Sequence, residues 1–357
     1  MGPTLNATQV AAAGATDVQG SLTTDPLANG AVPVIPAYQL QFMAFFTALA
    51  NWLLPVLDHI DFARGWLEGL VFGPKSAPVR QGTAIDAVVL TGASTGIGYD
   101  AALTLAKRGI VVFAGVRSQK DLDRLSDLGV STLIPIQLDV ASPQSIRNAV
   151  AEVSSILEAR DGTVQLVGVV NNAGIPHSST MDTTTRDAIE RVFDVNVFGA
   201  LEVTQAFLPL IRQHGRGGRV VVIGSVAGIA TVPLNGVYSA SKKAVEGLFE
   251  GLRLEIASEG IHVSIIRPGS IGTPLWNKFT DDTSAKGRKF AELAKTIGHA
   301  SGIAPSHVTR SILHALTSTY PLHYYAVGLD ARAIFALISK VPSRLYDLVL
   351  RSAMLKD

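Results

Sequence analysis

Residues Arg219–Glu259 read RVVVIGSVAGIATVPLNGVYSASKKAVEGLFEGLRLEIASE, and the rest of the chain is organised around this stretch. Its pattern predicts a buried strand, then a loop, then a long helix. Tyr238 and Lys242 lie four residues apart on that helix, so they differ by only about 40° around its axis and share a face. Ser225 closes the preceding strand, and the loop could fold its hydroxyl back beside the Tyr238 phenol. The stretch therefore predicts three neighbouring groups that can exchange protons.

A tyrosine beside a lysine can serve as an acid or a base. The pKa of a free tyrosine is near 10, and lowering it to about 7 takes roughly 4 kcal/mol of preferential stabilisation of the phenolate. An ammonium group in a partly desolvated cleft can supply much of that. The phenol would then exchange a proton with a carbonyl or alcohol oxygen near neutral pH. Because this spacing is common on helices, the pair predicts such a site only together with other motifs.

Composition limits what the 357-residue chain can do. The net charge of +1 argues against nucleic acid as its main partner. The chain has no cysteine, which excludes disulfides, thiolate metal sites and thiol catalysis. Its histidines and carboxylates show no metal-ligand spacing, so we expect no metal site.

From Thr83 onward, short β-branched runs alternate with amphipathic segments. Apolar strands that alternate with helices predict an α/β fold, in which a doubly wound parallel sheet carries helices on both faces and so forms three layers. Ser142-Pro143 is a typical helix start. The predicted strands are Ala84–Leu90, Ile110–Ala114, Leu133–Leu138, Val164–Val170, Arg219–Gly224 and Ile261–Arg267. The predicted helices are Gly98–Lys107, Pro143–Ala159 and one long run, Thr185–Gln213.

The sequence TGASTGIG at residues 91–98 follows the first predicted strand and opens a helix. Glycines in such a turn let the backbone approach a pyrophosphate, and the amides at a helix N-terminus favour its negative charge. The turn therefore predicts a dinucleotide site at the end of the first strand.

The N-terminal part of the chain differs from this pattern. We expect residues 1–30 to be disordered, residues 31–80 to form an apolar segment and a linker, and residues 81–320 to form the catalytic domain. Residues 321–357 would add a C-terminal strand and helices that pack on that domain. The N-terminal apolar extension is thus an addition to the α/β fold.

Residues 31–57 contain no charged side chain, and residues 40–57 read LQFMAFFTALANWLLPVL. Eighteen helical residues measure about 27 Å, just enough to cross a hydrocarbon core. The first basic residue of the chain is Arg64, which places the C-terminal side on the cytoplasmic face if the segment spans a membrane. The prediction is a membrane-associated protein with a cytoplasmic catalytic domain. The alternative is a cytoplasmic protein whose apolar helix packs on the catalytic domain or is buried in a homodimer.

Seven short motifs resemble the short-chain dehydrogenase/reductase family, in its shorter classical-type class. The resemblance covers about Thr83 to Pro274 and implies a Rossmann-type fold. The segments DVNVFGALEVTQAFLP and YYAVGLDA are similar to sequences of the hydroxysteroid and retinol dehydrogenase branch of the family. The matching motifs are TGASTGIG (91–98), LDV (138–140), NNAG (171–174), DVNVFG (194–199), IGSVAG (223–228), YSASK (238–242) and RPGSIGT (267–273).

The resemblance implies four catalytic residues. Tyr238 would be the general acid/base, and Lys242 would lower its pKa and hold the nicotinamide ribose. Ser225 would orient the substrate oxygen, and Asn196 would hold a water beside Lys242. Asn196 lies in an apolar run, where an amide must be fully hydrogen-bonded. The alternative for Asn196 is a satisfied core residue that pins its helix.

The resemblance also implies a set of cofactor-binding residues. Asp139 would reach the adenine, although it could instead cap a helix, and the Asn172 side chain could be structural. Thr273 would hold the nicotinamide carboxamide. The full set is Gly92, Ser94, Gly96, Ile97, Gly98, Arg117, Asp139, Asn172, Ala173, Gly174, Tyr238, Lys242, Pro268, Gly269 and Thr273.

The end of the second strand indicates which nicotinamide cofactor is preferred. A carboxylate there suits the ribose of NAD, whereas a basic residue suits the 2′-phosphate of NADP. Arg117 holds this position with Ser118 beside it, and no acid occurs until Asp121. A guanidinium can bind phosphate with two hydrogen bonds. The sequence therefore predicts NADP, with NAD as the less favoured choice.

The loops after strands four, five and six should wall the substrate pocket, since ligands bind at the carboxyl ends of parallel strands. Apolar residues in them predict a lipophilic alcohol or ketone such as a steroid, a retinoid or a lipid-derived carbonyl. The predicted activity is hydride transfer between NADP(H) and that group. The alternatives are an NAD-dependent alcohol dehydrogenase and a non-catalytic, membrane-tethered NADP-binding scaffold or sensor. The predicted apolar lining is Val226, Ile229, Val232, Leu234, Leu275 and Trp276.

Overall fold

A computed structural model describes residues 53–63, 85–213, 217–278 and 302–337, together with a few isolated positions. The predictions for residues 1–30, for most of residues 31–80 and for the C-terminal tail beyond 337 lie outside the described residues. The domain boundaries at 81 and 321 stay predictions.

A parallel sheet forms the centre of the molecule. Its strand order is β3-β2-β1-β4-β5-β6-β7, and every neighbouring pair is parallel. The order reverses between β1 and β4, which is where α/β sheets open a crevice for ligands. The strands are β1 (Ile85–Thr91), β2 (Val111–Val116), β3 (Leu133–Gln137), β4 (Val164–Asn171), β5 (Arg219–Ile223), β6 (His262–Pro268) and β7 (Tyr324–Val327).

Helices cover both faces of this sheet. A π-helical turn, Asp194–Phe198, joins two of them, and short 3₁₀ turns follow β5, α7 and β6. The helices are α1 (53–63), α2 (Gly96–Lys107), α3 (Gln119–Ser126), α4 (Pro143–Glu158), α5 (Arg186–Phe193), α6 (Gly199–Gln213), α7 (Gly236–Glu255), α8 (Pro305–Thr317) and α9 (Leu329–Leu337).

The alternation of side chains along β1 divides the core into two layers. Val88 and Leu90 pack with α2 and α8 on one face, whereas Ala87 and Val89 pack with α4, α6 and α7 on the other. Both faces of the strand are therefore buried, as the period of two in a strand requires. The predicted fold class, a three-layer Rossmann-type α/β sheet, is confirmed.

Most predicted elements are present with ends shifted by one or two residues. Ser142 caps α4 by accepting a hydrogen bond from the Ser145 amide, with Pro143 at the first turn, as predicted. The long run Thr185–Gln213 is not one regular helix, because the π-turn adds residues to the hydrogen-bond ladder between α5 and α6. β7 extends the same sheet beside β6.

Helix α1 is the described part of the N-terminal extension, and it packs on α8 and α9. Leu54 is fully buried, and the Phe62 ring stacks on His314 with centroids 3.7 Å apart. Asp58, which is 2% exposed, pairs with Arg310 of α8 at 2.9 Å and with Arg332 of α9 at 2.7 Å. This part of the extension therefore belongs to the catalytic domain. No helix in the described ranges is long and apolar enough to cross a bilayer.

We expect Asp58→Ala to lower the free energy of unfolding by about 2 kcal/mol. The change leaves two guanidinium groups without their shared buried partner, and their partial exposure softens the loss. Chemical denaturation of the full chain measures the effect. Asp182→Ala, an exposed loop residue, is the control and should change it by under about 0.5 kcal/mol. Equal stabilities of the two variants would show that the Asp58 pairs do not hold α1.

Candidate functional site

A cleft of about 460 Å³ opens at the carboxyl ends of β1 to β6. The strand topology brings together residues that are more than 150 positions apart in the chain. Gly98 and Asn196 are the predicted site residues that do not line it. The predicted residues that line it are Gly92, Ser94, Gly96, Ile97, Arg117, Asp139, Asn172, Ala173, Gly174, Ser225, Tyr238, Lys242, Pro268, Gly269 and Thr273.

Tyr238, Lys242 and Ser225 meet in the middle of the cleft. The Lys242 Nζ atom lies 5.7 Å from the centroid of the Tyr238 ring. The Ser225 hydroxyl hydrogen-bonds the Tyr238 phenol and also accepts a hydrogen bond from the Ala227 amide at 3.1 Å. The 3₁₀ turn after β5 thus fixes Ser225, and the first turns of α7 fix the other two. A substrate oxygen could contact both hydroxyls here.

Burial dominates the pKa of Tyr238 in this structure, and the role of Lys242 in lowering that pKa stays a prediction. Burial raises the pKa of Tyr238 to about 12, and the hydrogen bond from Ser225 offsets only part of that rise. The Lys242 ammonium donates instead to the Ile223 carbonyl at 2.8 Å. Tyr238 is therefore protonated at neutral pH, which suits a proton donor.

Lys242 is also buried, with 5% of its surface exposed. Burial lowers its pKa to about 8, and the Glu246 carboxylate one turn along α7 works against that fall. Its ammonium is therefore held in a low-dielectric site close to the pH at which it loses its proton. An ammonium in such a site interacts strongly with any negative charge that develops nearby.

Asn196 lies in the π-turn and its amide makes three hydrogen bonds. Its Oδ1 accepts from the Ile175 amide at 2.8 Å, and its Nδ2 donates to the Ile175 carbonyl and to the Ser241 hydroxyl, each at 3.0 Å. Asn196 thereby pins the loop after β4 to α7, as the alternative interpretation of this residue expected. A water held by Asn196 beside Lys242 stays a prediction.

The glycine-rich turn after β1 leaves backbone groups open toward the cleft. Gly92 has φ +68°, a conformation that side chains disfavour. Gly98 packs so closely on the turn that a Cβ would lie 2.2 Å from the Gly92 carbonyl oxygen. The Thr95 side chain caps none of the amides that begin α2, so these donors remain for an anion. This cradle fits the pyrophosphate of a dinucleotide.

Two other predicted cofactor residues have structural partners. The Asn172 Nδ2 donates to the carbonyls of Thr91 and Gly92 at 3.0 and 3.1 Å, so its side chain ties the ends of β1 and β4 together. The Asp139 carboxylate accepts from the Ala141 amide at 3.1 Å and shapes the turn after β3. The helix cap there is Ser142, so Asp139 lines the cleft without capping α4.

The nucleotide end of the cleft contains charges of both signs. Arg117 is exposed and has no ion-pair partner in the described part of the chain, while Asp121 also lines the cleft. The Ser118 hydroxyl donates to Asp121 at 2.7 Å, and Arg124 pairs with it at 3.1 Å. The Ser118 hydrogen bond lowers the pKa of Asp121 most, so that carboxylate is ionised. Asp121 was not predicted to line the cleft, because it lies past the end of β2, in the first turn of α3.

The apolar wall of the cleft differs in part from the prediction. Leu275 and Trp276 line it, but Val226, Ile229, Val232 and Leu234 are not among the described lining residues. Val226 begins the 3₁₀ turn after Ser225, and Ile229 directly follows that turn. Ile175, Val195 and Ile271 line the cleft instead. Ile175 and Ile271 lie in the loops after β4 and β6, which the sequence predicted to wall the pocket, and Val195 lies in the π-turn.

Comparisons with known proteins agree with this geometry. A family model described as short chain dehydrogenase matches residues 86–284. The uncharacterized oxidoreductase YbbO of Escherichia coli (strain K12) is 34% identical over 264 residues, which cover 74% of this chain and 93% of that protein. Retinol dehydrogenase 5 of Mus musculus is 32% identical over 323 residues, which cover 84% of this chain and 96% of that protein.

A solved structure shows the same architecture. The crystal structure of a short-chain dehydrogenase from Streptomyces avermitilis superimposes with a TM-score of 0.62 and 30% sequence identity, covering 76% of this chain and 97% of that one. The region that the family model matches, residues 86–284, contains the glycine-rich turn, the Ser225 turn and the Tyr238 helix. The resemblance inferred from the motifs is confirmed, including its retinol dehydrogenase-like branch. The chain belongs to the short-chain dehydrogenase family.

Proposed function

We propose that this protein transfers a hydride between NADP(H) and the carbonyl or alcohol carbon of a lipophilic substrate. As a member of its family it is an oxidoreductase that uses a nicotinamide cofactor and acts on alcohol or ketone groups. The observation that carries the proposal is the meeting of Tyr238, Ser225 and Lys242 in one cleft with the glycine-rich turn. The cofactor and substrate preferences are the proposed part.

Tyr238, Ser225 and Lys242 each have a separate role in the reaction. Bound NADP(H) supplies or accepts the hydride at its nicotinamide ring. Tyr238 gives its proton to the substrate oxygen as negative charge develops there, and it takes the proton back in the oxidation direction. Ser225 hydrogen-bonds the same oxygen. Lys242 binds the ribose hydroxyls and keeps a positive charge beside the phenol.

The protonation state of Tyr238 supports the reductive direction at neutral pH. A pKa of about 12 keeps the phenol a proton donor over the physiological range. Acting as a base toward an alcohol would need the phenolate, which burial disfavours. The protonated phenol can therefore act directly as the acid in carbonyl reduction near pH 7.

Arg117 supports the preference for NADP. Its exposed guanidinium lines the cleft without an ion-pair partner among the described residues, so it is available for a phosphate. Asp121 favours the second candidate, an NAD-dependent dehydrogenase, because an ionised carboxylate repels phosphate and can accept from a ribose hydroxyl. Its ion pair with Arg124 and its bond from Ser118 offset that charge. We therefore rank NADP first.

The cleft walls support a lipophilic substrate. Ile175, Val195, Leu275 and Trp276 present apolar surface beside the Tyr238 hydroxyl region. Retinol dehydrogenase 5, a relative over most of the chain, is named for a lipophilic alcohol. A steroid, a retinoid or a lipid-derived carbonyl would match such walls.

We also propose that the protein attaches to a membrane with its catalytic domain in the cytoplasm, through residues before α1. Residues 31–57 carry no charge, and the α1 side chains Val56 and Ile60 are exposed. Leu54 is buried against the domain, so about 13 residues of the 40–57 stretch remain, or about 20 Å of helix. That length favours insertion into one leaflet. A homodimer stays a prediction.

We expect Tyr238→Phe to lower kcat for carbonyl reduction by about 10²- to 10⁴-fold, since it removes the proton donor and little else. Steady-state assays with NADPH and a panel of steroid, retinoid and aliphatic ketones measure it. NADPH affinity should change little. Tyr320→Phe, outside the cleft-lining set, is the control. A Tyr238→Phe enzyme that keeps its turnover would rule out the proposed proton donor.

We expect Arg117→Ala to weaken NADPH binding by about tenfold or more and to leave NADH binding nearly unchanged, because a charge-assisted phosphate contact is lost. Asp121→Asn should improve NADPH binding and weaken NADH binding. Fluorescence titration of both cofactors measures this, with the exposed Arg108→Ala as control. If Arg117→Ala weakened both cofactors equally, the second candidate would replace the first.

We expect a chain that begins at Leu53 to fold with α1 in place, because it keeps Leu54, Asp58 and Phe62. After carbonate extraction of cells, the full chain should stay in the membrane fraction and the shortened chain should be soluble. Thermal denaturation should give both the same midpoint. Release of the full chain by carbonate would end the membrane proposal.

A further inference from the structure

Glu246 is a buried carboxylate that the reaction described above does not use. It lies on α7 one turn after Lys242 and is 4% exposed. Its Oε2 accepts two hydrogen bonds from Arg267, from Nε at 3.0 Å and from Nη2 at 2.8 Å. Arg267 is 9% exposed and stands in β6 directly before Pro268 and Gly269, which line the cleft. The pair therefore joins α7 to the loop after β6.

The other oxygen of Glu246 faces the segment that carries Ser225. A Cβ on Gly224 would lie 2.4 Å from Glu246 Oε1, and one on Gly228 would lie 2.8 Å from it. Oε1 has no hydrogen-bond partner among the described residues. Glycines thus flank Ser225 at the two positions where a side chain would displace this carboxylate. Glu246 touches the Ser225 turn and pairs with the loop after β6.

The charges around Lys242 come from several elements. On its own helix it has the Tyr238 phenol and Glu246, and β5 contributes the Ile223 carbonyl. In the π-turn, Asn196 Oδ1 lies close to the same space, because a Cβ on Gly174 would be 3.3 Å from that oxygen and 3.7 Å from Lys242 Nζ. Beyond Glu246, β6 contributes Arg267, whose guanidinium stacks on the Tyr324 ring of β7 at 4.0 Å. The Tyr324 hydroxyl in turn donates to Glu250 of α7. Glu246 is thus the negative charge between two buried cations.

We propose that Glu246 is a positioning residue: paired with Arg267, it fixes the Ser225 turn and the loop after β6 against α7, and it places a negative charge one helical turn from Lys242. This inference rests on the proposed function only for the role of Lys242. A glutamine would fill the same space without the charge. Arg267 would then lack its counter-ion, and both cations would face each other across a low-dielectric site.

Loss of the negative charge has a consequence for the unliganded protein. The pKa of Lys242 falls from 10.5 in the unfolded chain to about 8 in the folded one. Between these two values the unfolded chain binds more protons, so the free energy of unfolding rises as pH rises. Without the Glu246 charge the folded pKa is lower still. In a variant that lacks this charge, the free energy of unfolding should then begin to rise at a pH about one unit lower.

The experiment measures the free energy of unfolding of the full chain from pH 6 to pH 10.5 by chemical denaturation. Four proteins form the set: the natural chain, Glu246→Gln, and each of these with Lys242→Met. Subtracting the Lys242→Met curve isolates the titration of Lys242. We expect the onset of the rise to lie about one pH unit lower in Glu246→Gln. Glu255→Gln, an exposed carboxylate on the same helix, should leave the onset in place.

A second measurement follows NADPH affinity by fluorescence over the same pH range. The alkaline loss of binding should move to lower pH by the same amount in Glu246→Gln, so that affinity differs up to about tenfold between the two midpoints. A purely structural role would lower stability equally at all pH values and leave both midpoints unchanged. Unchanged midpoints overturn the inference.

Glu246→Gln could fail to fold, because it leaves the buried Arg267 without its counter-ion. The double variant Glu246→Met/Arg267→Met replaces the pair with apolar side chains of similar length, a change that buried ion pairs often tolerate. The double variant also removes the Glu246 charge. The pH at which its free energy of unfolding begins to rise should therefore lie below that of the natural chain. An onset equal to that of the natural chain overturns the inference. The stability measurements need no cofactor or substrate, so an absence of turnover would count against the proposed function alone.

Discussion

Burial of Tyr238 and Lys242 in one cleft disfavours the charged form of each. The neighbouring groups of the site offset part of this effect. Desolvation raises the pKa of the phenol to about 12 and lowers that of the ammonium to about 8. A phenolate beside an ammonium is thus not the resting state of this site. The neutral phenol is ready to donate, and Ser225, the Ile223 carbonyl and Glu246 each offset part of the desolvation. Proton donation to a reduced substrate oxygen follows from this balance.

Strand topology explains why these groups can meet. Each functional segment directly follows the carboxyl end of a parallel strand, and the order β2-β1-β4-β5-β6 places those ends side by side. The glycine-rich turn, the Asn172 link and the Ser225 turn are therefore neighbours although they are far apart in the chain. The hydrogen bonds of Asn172 to the end of β1 and of Asn196 to the loop after β4 hold this row in register. Rigid elements thus position each reacting group.

Features that depend on local periodicity, such as strands and helix faces, could be predicted from the sequence. Features that depend on burial in the folded protein could not. β-branched runs placed the six longer strands, and the four-residue spacing placed Tyr238 and Lys242 on one face of α7. The burial that raises the pKa of Tyr238 had no signal in the local spacing, because desolvation depends on how the whole fold encloses the phenol. Asp121 was noted as the first acid after Arg117 but was not predicted to line the cleft, because it lies beyond the end of β2 in the first turn of α3. The π-turn at Asn196 left no local signal that periodicity could detect.

Helix α7 also carries Glu246, which extends the arrangement of charged groups beyond Tyr238 and Lys242. Tyr238, Lys242 and Glu246 follow one another at one-turn intervals on the face toward the sheet, and Glu246 reaches Arg267 on β6. Two cations and one anion buried together leave one positive charge next to a neutral phenol. A charge of that sign stabilises an oxygen that becomes negative as hydride arrives, and it costs no reorganisation because hydrogen bonds hold every member. Apolar residues in place of these charged groups would remove the positive charge that favours the reaction.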